Sequence, residues 1–297
     1  MTAAEVLGMG IKTILVPIDG GKGSFAALDR AFVVAKRFGA HIQALHVMQR
    51  VSDAASYGFY NVPAKLRKNV ESEAEKAALE KAAELQEQFE DFCSQYDLPI
   101  SEQPSEEAGA TAAWHQEFGH VAEILVRHGR VSDLIAVPRP RVKTGTVRRS
   151  PVGQAIEAVL LETGRPVLIE PPNCKAKRCE RVAIGWNESS EASRALAMTL
   201  PWLVEMSAVT IIISEKRQPR VKAVLDYLAW HGVTANVQIL DGRGRSVAEA
   251  MLSVCADVGA EFLIVGGFSH ARARELLFGG VTHYLLAESS IVTIMVH

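Results

Sequence analysis

Two tandem α/β domains, each an open, mostly parallel five-stranded sheet with helices on both faces, are the fold this sequence predicts. Three observations carry that expectation. The chain has 297 residues, enough for two domains that each bury a core without disulfides or metal. Short, almost wholly apolar runs alternate with stretches of helical periodicity, and strands that are apolar throughout belong to parallel sheets covered on both sides. The order of events in the first half is then repeated in the second.

The first run, Ile14 to Ile18, is too short for a buried helix and leads into Asp19-Gly20-Gly21, a strand entering a turn. Ser24 is placed to cap the next stretch, where Ala27, Leu28, Ala31, Phe32, Val34 and Ala35 keep a helical spacing until Gly39 ends it. His41 to Met48 reads as the second strand. Ala64 to Tyr96 reads as one long helix with Ala78, Ala82, Leu85, Phe89 and Phe92 on one face and a solvated face of Glu and Lys opposite. Asp133 feeds a fourth apolar run, Leu134 to Val137, and Pro166 to Ile169 closes the half.

From Val182 the sequence begins again. A strand to Trp186 enters the turn Asn187-Glu188-Ser189-Ser190, a helix runs through Ala192 to Leu203, and a strand follows from Ala208 to Ser214. Later, Glu261 feeds Phe262 to Val265, a helix starts at Gly279 or Gly280, and Val292 to Met295 is the closing strand. Asp19 matches Asn187 and Leu28 matches Leu196, whereas Asp133 matches Glu261 at a shorter offset. The first half is therefore the longer, with most of its surplus between Arg50 and Ile100. The proline- and charge-rich segment from Glu170 to Arg178 reads as a linker and sets the domains at 1–172 and 173–297.

The 34 acidic and 32 basic side chains leave a net charge of -2, which offers no general attraction to nucleic acid. No stretch is apolar enough to span a membrane and the first ten residues do not read as a leader, so a cytoplasmic protein is expected. Cys93, Cys174, Cys179 and Cys255 contain no C-x-x-C pair and suit free thiols; Cys174 and Cys179 share a loop but lack two further zinc ligands nearby. His115 and His120 do not share a helical face, His270 and His283 have no evident carboxylate partner, and Trp114, Trp186, Trp202 and Trp230 read as core or helix-packing residues.

In an open parallel sheet a ligand binds where neighbouring strands diverge at their carboxyl ends. In the second half the loop there runs from Gly266-Gly267-Phe268-Ser269-His270 to Gly279-Gly280-Val281-Thr282. Its glycines let backbone N–H groups approach an anion, and the helix that follows points its positive end at the same place, an arrangement suited to a polyphosphate. The plainer reading is that Gly266 and Gly267 end a strand while Gly279 and Gly280 permit tight packing. The first-half counterpart has Pro138 and Pro140 instead, and carries Arg139, Arg141, Lys143, Arg148 and Arg149, either a solvated loop or forks for an anion.

Val16-Pro17-Ile18-Asp19-Gly20-Gly21, Leu45-His46-Val47, Thr163-Gly164-Arg165-Pro166-Val167-Leu168 and Arg274-Glu275-Leu276-Leu277-Phe278-Gly279-Gly280-Val281-Thr282 together resemble the universal stress protein family, with one Rossmann-like, UspA-type domain in each half. The family's nucleotide signature is Gly, two residues, Gly, nine residues, Gly, then Ser or Thr, and its frame falls on Gly266, Ser269, Gly279 and Gly280. The resemblance implies that ATP or another adenine nucleotide, with magnesium as its candidate counter-ion, is held by Asn187, Gly266, Gly267, Ser269, His270, Gly279, Gly280, Val281 and Thr282, with Asp19 a lesser counterpart in the first half. Asn187 replaces the family's Asp, Ser269 its second glycine and Gly280 its hydroxyl. The first half keeps Asp19 and Gly153 but loses the glycine loop.

The resemblance also implies a non-enzymatic stress-response role, pairing of Val167–Ile169 with Val292–Val296 inside one chain, and a homodimer of whole chains as a candidate assembly. No G-x-x-x-x-G-K-[ST] loop, no pyrophosphatase loop and no paired carboxylates accompany the glycines, which argues against an ATPase or adenylyl-transfer enzyme and leaves slow ATP hydrolysis to test. The alternative function is a nucleotide-independent scaffold whose long helix recruits a protein partner or closes over an apolar ligand.

Overall fold

A computed structural model describes residues 10–49, 63–103, 109–140, 151–172, 174, 180–241, 244–267 and 280–297. The first half runs β1 (Thr13–Pro17), α1 (Lys22–Phe38), β2 (His41–Met48), α2 (Ala64–Gln95), β3 (Thr111–Phe118), α3 (Val121–Gly129), β4 (Leu134–Pro138), α4 (Pro151–Glu162) and β5 (Val167–Glu170). The second runs β6 (Arg181–Gly185), α5 (Ser190–Leu203), β7 (Ala208–Ile213), a 3-10 turn (Glu215–Arg220), α6 (Val221–Trp230), β8 (Ala235–Ile239), α7 (Val247–Asp257), β9 (Phe262–Gly266), α8 (Gly280–Glu288) and β10 (Val292–Val296). The surplus of the first half is accounted for in part by α2, which occupies the place of the much shorter α6.

All ten strands join one sheet in the order β3-β2-β1-β4-β5-β10-β9-β6-β7-β8. Neighbours are parallel except at the centre, where β5 and β10 run antiparallel with Ile169 opposite Thr293, Leu168 opposite Ile294 and Val167 opposite Met295. Each closing strand thus covers the edge that the other would leave open. The two faces of this sheet carry separate cores. Helices α1, α2, α5 and α6 bury Leu28, Phe32, Leu85, Phe89, Leu196 and Leu228 on one face, and α3, α4, α7 and α8 bury Leu125, Val159, Met251 and Leu285 on the other. Both cores draw residues from both halves.

The duplication extends to the polar residues that precede the fourth strands. Asp133 Oδ2 accepts the Lys12 and Thr13 N–H groups at 2.8 and 3.0 Å and the Thr13 hydroxyl at 3.2 Å. Glu261 Oε2 accepts the Glu180 and Arg181 N–H groups at 2.6 and 3.3 Å. Each carboxylate satisfies the amides at the start of a first strand, where the sheet supplies no partner. Asp133→Ala is therefore expected to lower the unfolding free energy by about 2 kcal/mol in urea titrations, the scale of hydrogen bonds to a charged acceptor left without replacement.

Two expectations need correction. Ser24 does not cap α1: the helix begins at Lys22 with Gly21 at the N-cap, and the Ser24 hydroxyl donates to the Gly21 carbonyl at 2.8 Å. Trp230 is not a packing residue, being 89% exposed. Val224 and Leu228 are the buried residues of α6, and two residues past Leu228 turn the helix by about 200°, away from the sheet. Gly39 does end α1, in the left-handed conformation that glycine adopts without cost.

The halves are tied by more than strand pairing. Phe38 stacks on Trp202 at 6.2 Å and 14°, and Arg37 lies 3.9 Å from Glu205. Arg30 on α1 is buried with Glu170 at the end of β5, its Nε donating to Oε2 at 2.8 Å, while its guanidinium also reaches Cys174 Sγ at 3.4 Å and the Phe262 ring at 5.8 Å. Arg139 donates to the Ser289 carbonyl at 2.7 Å, just past the C-terminus of α8, where a cation is favoured. This basic residue is an anchor between the halves; the remainder of its charge run lies outside the described residues. Cys93 and Cys255 are buried free thiols, pushed by burial to about 11 and about 12.

Candidate functional site

The sheet has a switch point in each half, between β1 and β4 and between β6 and β9, where the chain leaves adjacent parallel strands in opposite directions. The loops after β1 and β6 are built alike. Asp19 Oδ1 accepts the Gly21 N–H at 2.8 Å, and Asn187 Oδ1 accepts the Ser189 N–H at 3.1 Å, the turn that Asp and Asn make with their own backbone. The Asn187 amide oxygen therefore has at least one of its two lone pairs engaged. Ser189 then caps α5 by accepting the Ala192 N–H.

The residue between these partners is left-handed in both loops: Gly20 at φ +84 and Glu188 at φ +62. A glutamate there is strained by about 1 kcal/mol or more relative to glycine. Its carboxylate is held by Arg220 at 2.8 and 2.7 Å and by Arg217 at 3.4 Å, and Arg217 Nε also donates to the Asn187 carbonyl at 2.9 Å. The hydrogen bond from Arg220 holds the Glu188 carboxyl below the usual carboxylate range. The 3-10 turn thus clasps the site loop, a feature that no local sequence pattern announces.

Gly266 sits where β9 meets the start of α5: a Cβ there would lie 2.6 Å from the Glu191 carbonyl carbon and 2.8 Å from its Cβ. The first half makes the same contact with the sizes exchanged, since Pro138 at the end of β4 packs against Gly23, whose Cβ would lie 2.8 Å from the proline ring. Gly267 donates its N–H to the Val296 carbonyl at 2.8 Å, as Arg139 does to Glu170 at 2.7 Å, so this amide is engaged in the chain's own backbone. Gly280 opens α8 with, among the described residues, nothing within 4 Å of a Cβ, Val281 is half-buried, and Thr282 is buried inside the helix. Ser269, His270 and Gly279 lie outside the described residues.

In the first half, Asp19 lines a cleft of about 370 Å³ at the carboxyl ends of β1 and β2, beneath α2. His46 and Lys81, which the sequence had not singled out individually as site residues, line it as well. His115 is 3.8 Å from Glu102 on the outer part of the sheet, away from either switch point, and His120 stands at the N-cap of α3. Among the described residues no cluster of His, Cys, Asp and Glu could hold a metal ion, and no helix is long and apolar enough to cross a membrane.

A doubly wound α/β sheet with a switch point in each half defines the class of protein. The family model of universal stress proteins matches residues 10–171, more than half of the chain, and the chain belongs to the universal stress protein family. Its fold is similar to that of a universal stress protein from Archaeoglobus fulgidus, at 17% identity and a TM-score of 0.71 over 96% of this chain and 95% of that one. It is also similar to a putative universal stress protein from Pseudomonas aeruginosa, at 12% identity and a TM-score of 0.52 over 96% and 93%. No curated protein sequence matches it.

Proposed function

We propose that the chain is a cytoplasmic, non-catalytic universal stress protein that binds an adenine nucleotide in its second half, its domains meeting near Pro172. The observation that carries this reading is the switch point itself: Gly266 ends β9, Asn187 lies in the turn just after the adjacent parallel strand β6, and α8, which leads back to β10, has its N-terminus on the same edge. Asn187 offers a ribose an uncharged amide, a weaker partner than a carboxylate. The α8 terminus and the glycine frame would hold the phosphates, with magnesium arriving on the nucleotide.

Gly280→Val tests it, because among the described residues nothing lies within 4 Å of a Cβ at Gly280. Titration of the intact protein with ATP, with and without magnesium, is expected to saturate near one per chain, and the variant to bind at least about tenfold more weakly at an unchanged melting temperature. Equal binding by both proteins rejects the site. Metal-dependent release of ADP by wild type, lost in the variant, would replace the non-catalytic reading with a slow ATPase.

A further inference from the structure

We infer that β8 is a self-association surface, on which a second copy of this chain adds its own β8 antiparallel about a two-fold axis at Val237. This surface is independent of the nucleotide reading. Among the described residues the sheet ends on β3 and β8. The two ends are treated differently. At the start of β3 the Ser101 N–H donates to the Ala112 carbonyl and the Ala112 N–H to the Pro99 carbonyl, each at 2.9 Å, and Glu117 places a charge farther along the strand. Covering and charge are the usual protections of a sheet edge. β8, Ala235–Ile239, has neither a charge nor a proline, and the whole stretch from Gly232 to Leu240 is uncharged. Leu240 donates its N–H to the Ile213 carbonyl at 2.8 Å, which turns the backbone groups of Asn236, Gln238 and Leu240 toward β7 and those of Ala235, Val237 and Ile239 outward. Among the described residues these outward groups have no backbone partner.

The strand is complementary to its own reverse, which selects a copy of the same chain as the occupant. Reversal about Val237 sets it opposite the partner's Val237 and sets Ala235, the small residue, opposite the partner's Ile239; each such pair exchanges two N–H···O bonds. On the exposed face Asn236 falls opposite the partner's Gln238, two amides that bond to each other without bringing like charges together. The exposed apolar groups correspond as well. Trp230, 89% exposed, precedes the strand and Ile239, 39% exposed, ends it, so reversal brings each toward the other across the axis. The same device already operates inside the chain, where β5 and β10, the matching closing strands of the two halves, pair antiparallel. A five-residue strand is only about 17 Å long, so the interface is small and its association concentration-dependent.

Sedimentation velocity of the full-length protein without nucleotide, between about 1 and about 300 µM, is expected to show monomer converting to dimer within that range. Two double variants then read the register. Asn236 and Gln238 are both exposed, so replacing them leaves the core untouched, and an unchanged melting temperature confirms it. Asn236→Lys/Gln238→Lys sets like charges opposite each other across the axis and should weaken the dimer at least about tenfold. Asn236→Lys/Gln238→Glu carries as many charges but sets opposite signs together, and should dimerise at least as tightly as wild type. A wild-type protein that stays monomeric throughout, a dimer that survives the Lys/Lys change, or a Lys/Glu protein that dimerises no better than the Lys/Lys one would each overturn the proposal.

Discussion

Arg30→Met is expected to destabilise the protein by about 3–5 kcal/mol, because it leaves the Glu170 carboxylate buried without its cation. Both side chains are 2% exposed, so water cannot replace the guanidinium. The double variant Arg30→Met/Glu170→Leu removes both charges and is expected to recover most of the loss, since burying an ion pair costs much of what its attraction returns. Urea unfolding of the three proteins separates these contributions. A single variant as stable as the double one would mean that Glu170 is not held in the interior.

The pH dependence has a definite sign. Burial pushes the Glu170 carboxyl above the usual carboxylate range, against the pull of Arg30. A carboxyl with a raised folded value holds its proton more tightly in the folded state; it favours folding below its unfolded value, and this is lost as pH rises through the folded value. Without Arg30 the burial effect is unopposed. The deficit of Arg30→Met should therefore shrink as pH falls from neutrality toward the usual carboxylate range and Glu170 takes up a proton, while the double variant lacks that component.

What the sequence disclosed and what it concealed follow from the range of the interactions involved. β2 at His41–Met48 and the buried face of α2 at Ala82, Leu85 and Phe89 were legible because a covered strand or one-faced helix writes its period into consecutive residues. The pairing of β5 with β10 was expected through family resemblance, and the antiparallel register bears it out. Ser24 misled because a serine three residues into a helix can donate to a preceding carbonyl as readily as it can cap. Arg30 and Glu170 lie far apart in sequence, and neither position carries a local mark of burial. For the site, the repeated turns at Asp19 and Asn187 were visible as a duplication, whereas the cleft required β1, β2, α2 and α3 to be brought together.

Gly266→Ala is expected to cost about 2–4 kcal/mol, a larger effect than a glycine-to-alanine change at an exposed loop, because the added methyl group meets the backbone at the start of α5 rather than a side chain that can rotate away. Gly266 does not have a left-handed φ, so backbone freedom is not what it provides; close approach of β9 to α5 is. The first half reaches the same end with Pro138 against Gly23, putting the small residue on the helix instead of the strand. Gly23→Ala should consequently be destabilising too, although the proline ring has more room to shift than a peptide unit. These variants separate packing from ligand contact at a glycine that the family signature assigns to nucleotide. If close approach is its main role, Gly266→Ala loses stability in urea, and ATP affinity measured well below its melting temperature falls only modestly. A protein with wild-type stability and abolished ATP binding would instead make Gly266 a phosphate-contacting residue and leave its closeness to Glu191 without energetic consequence.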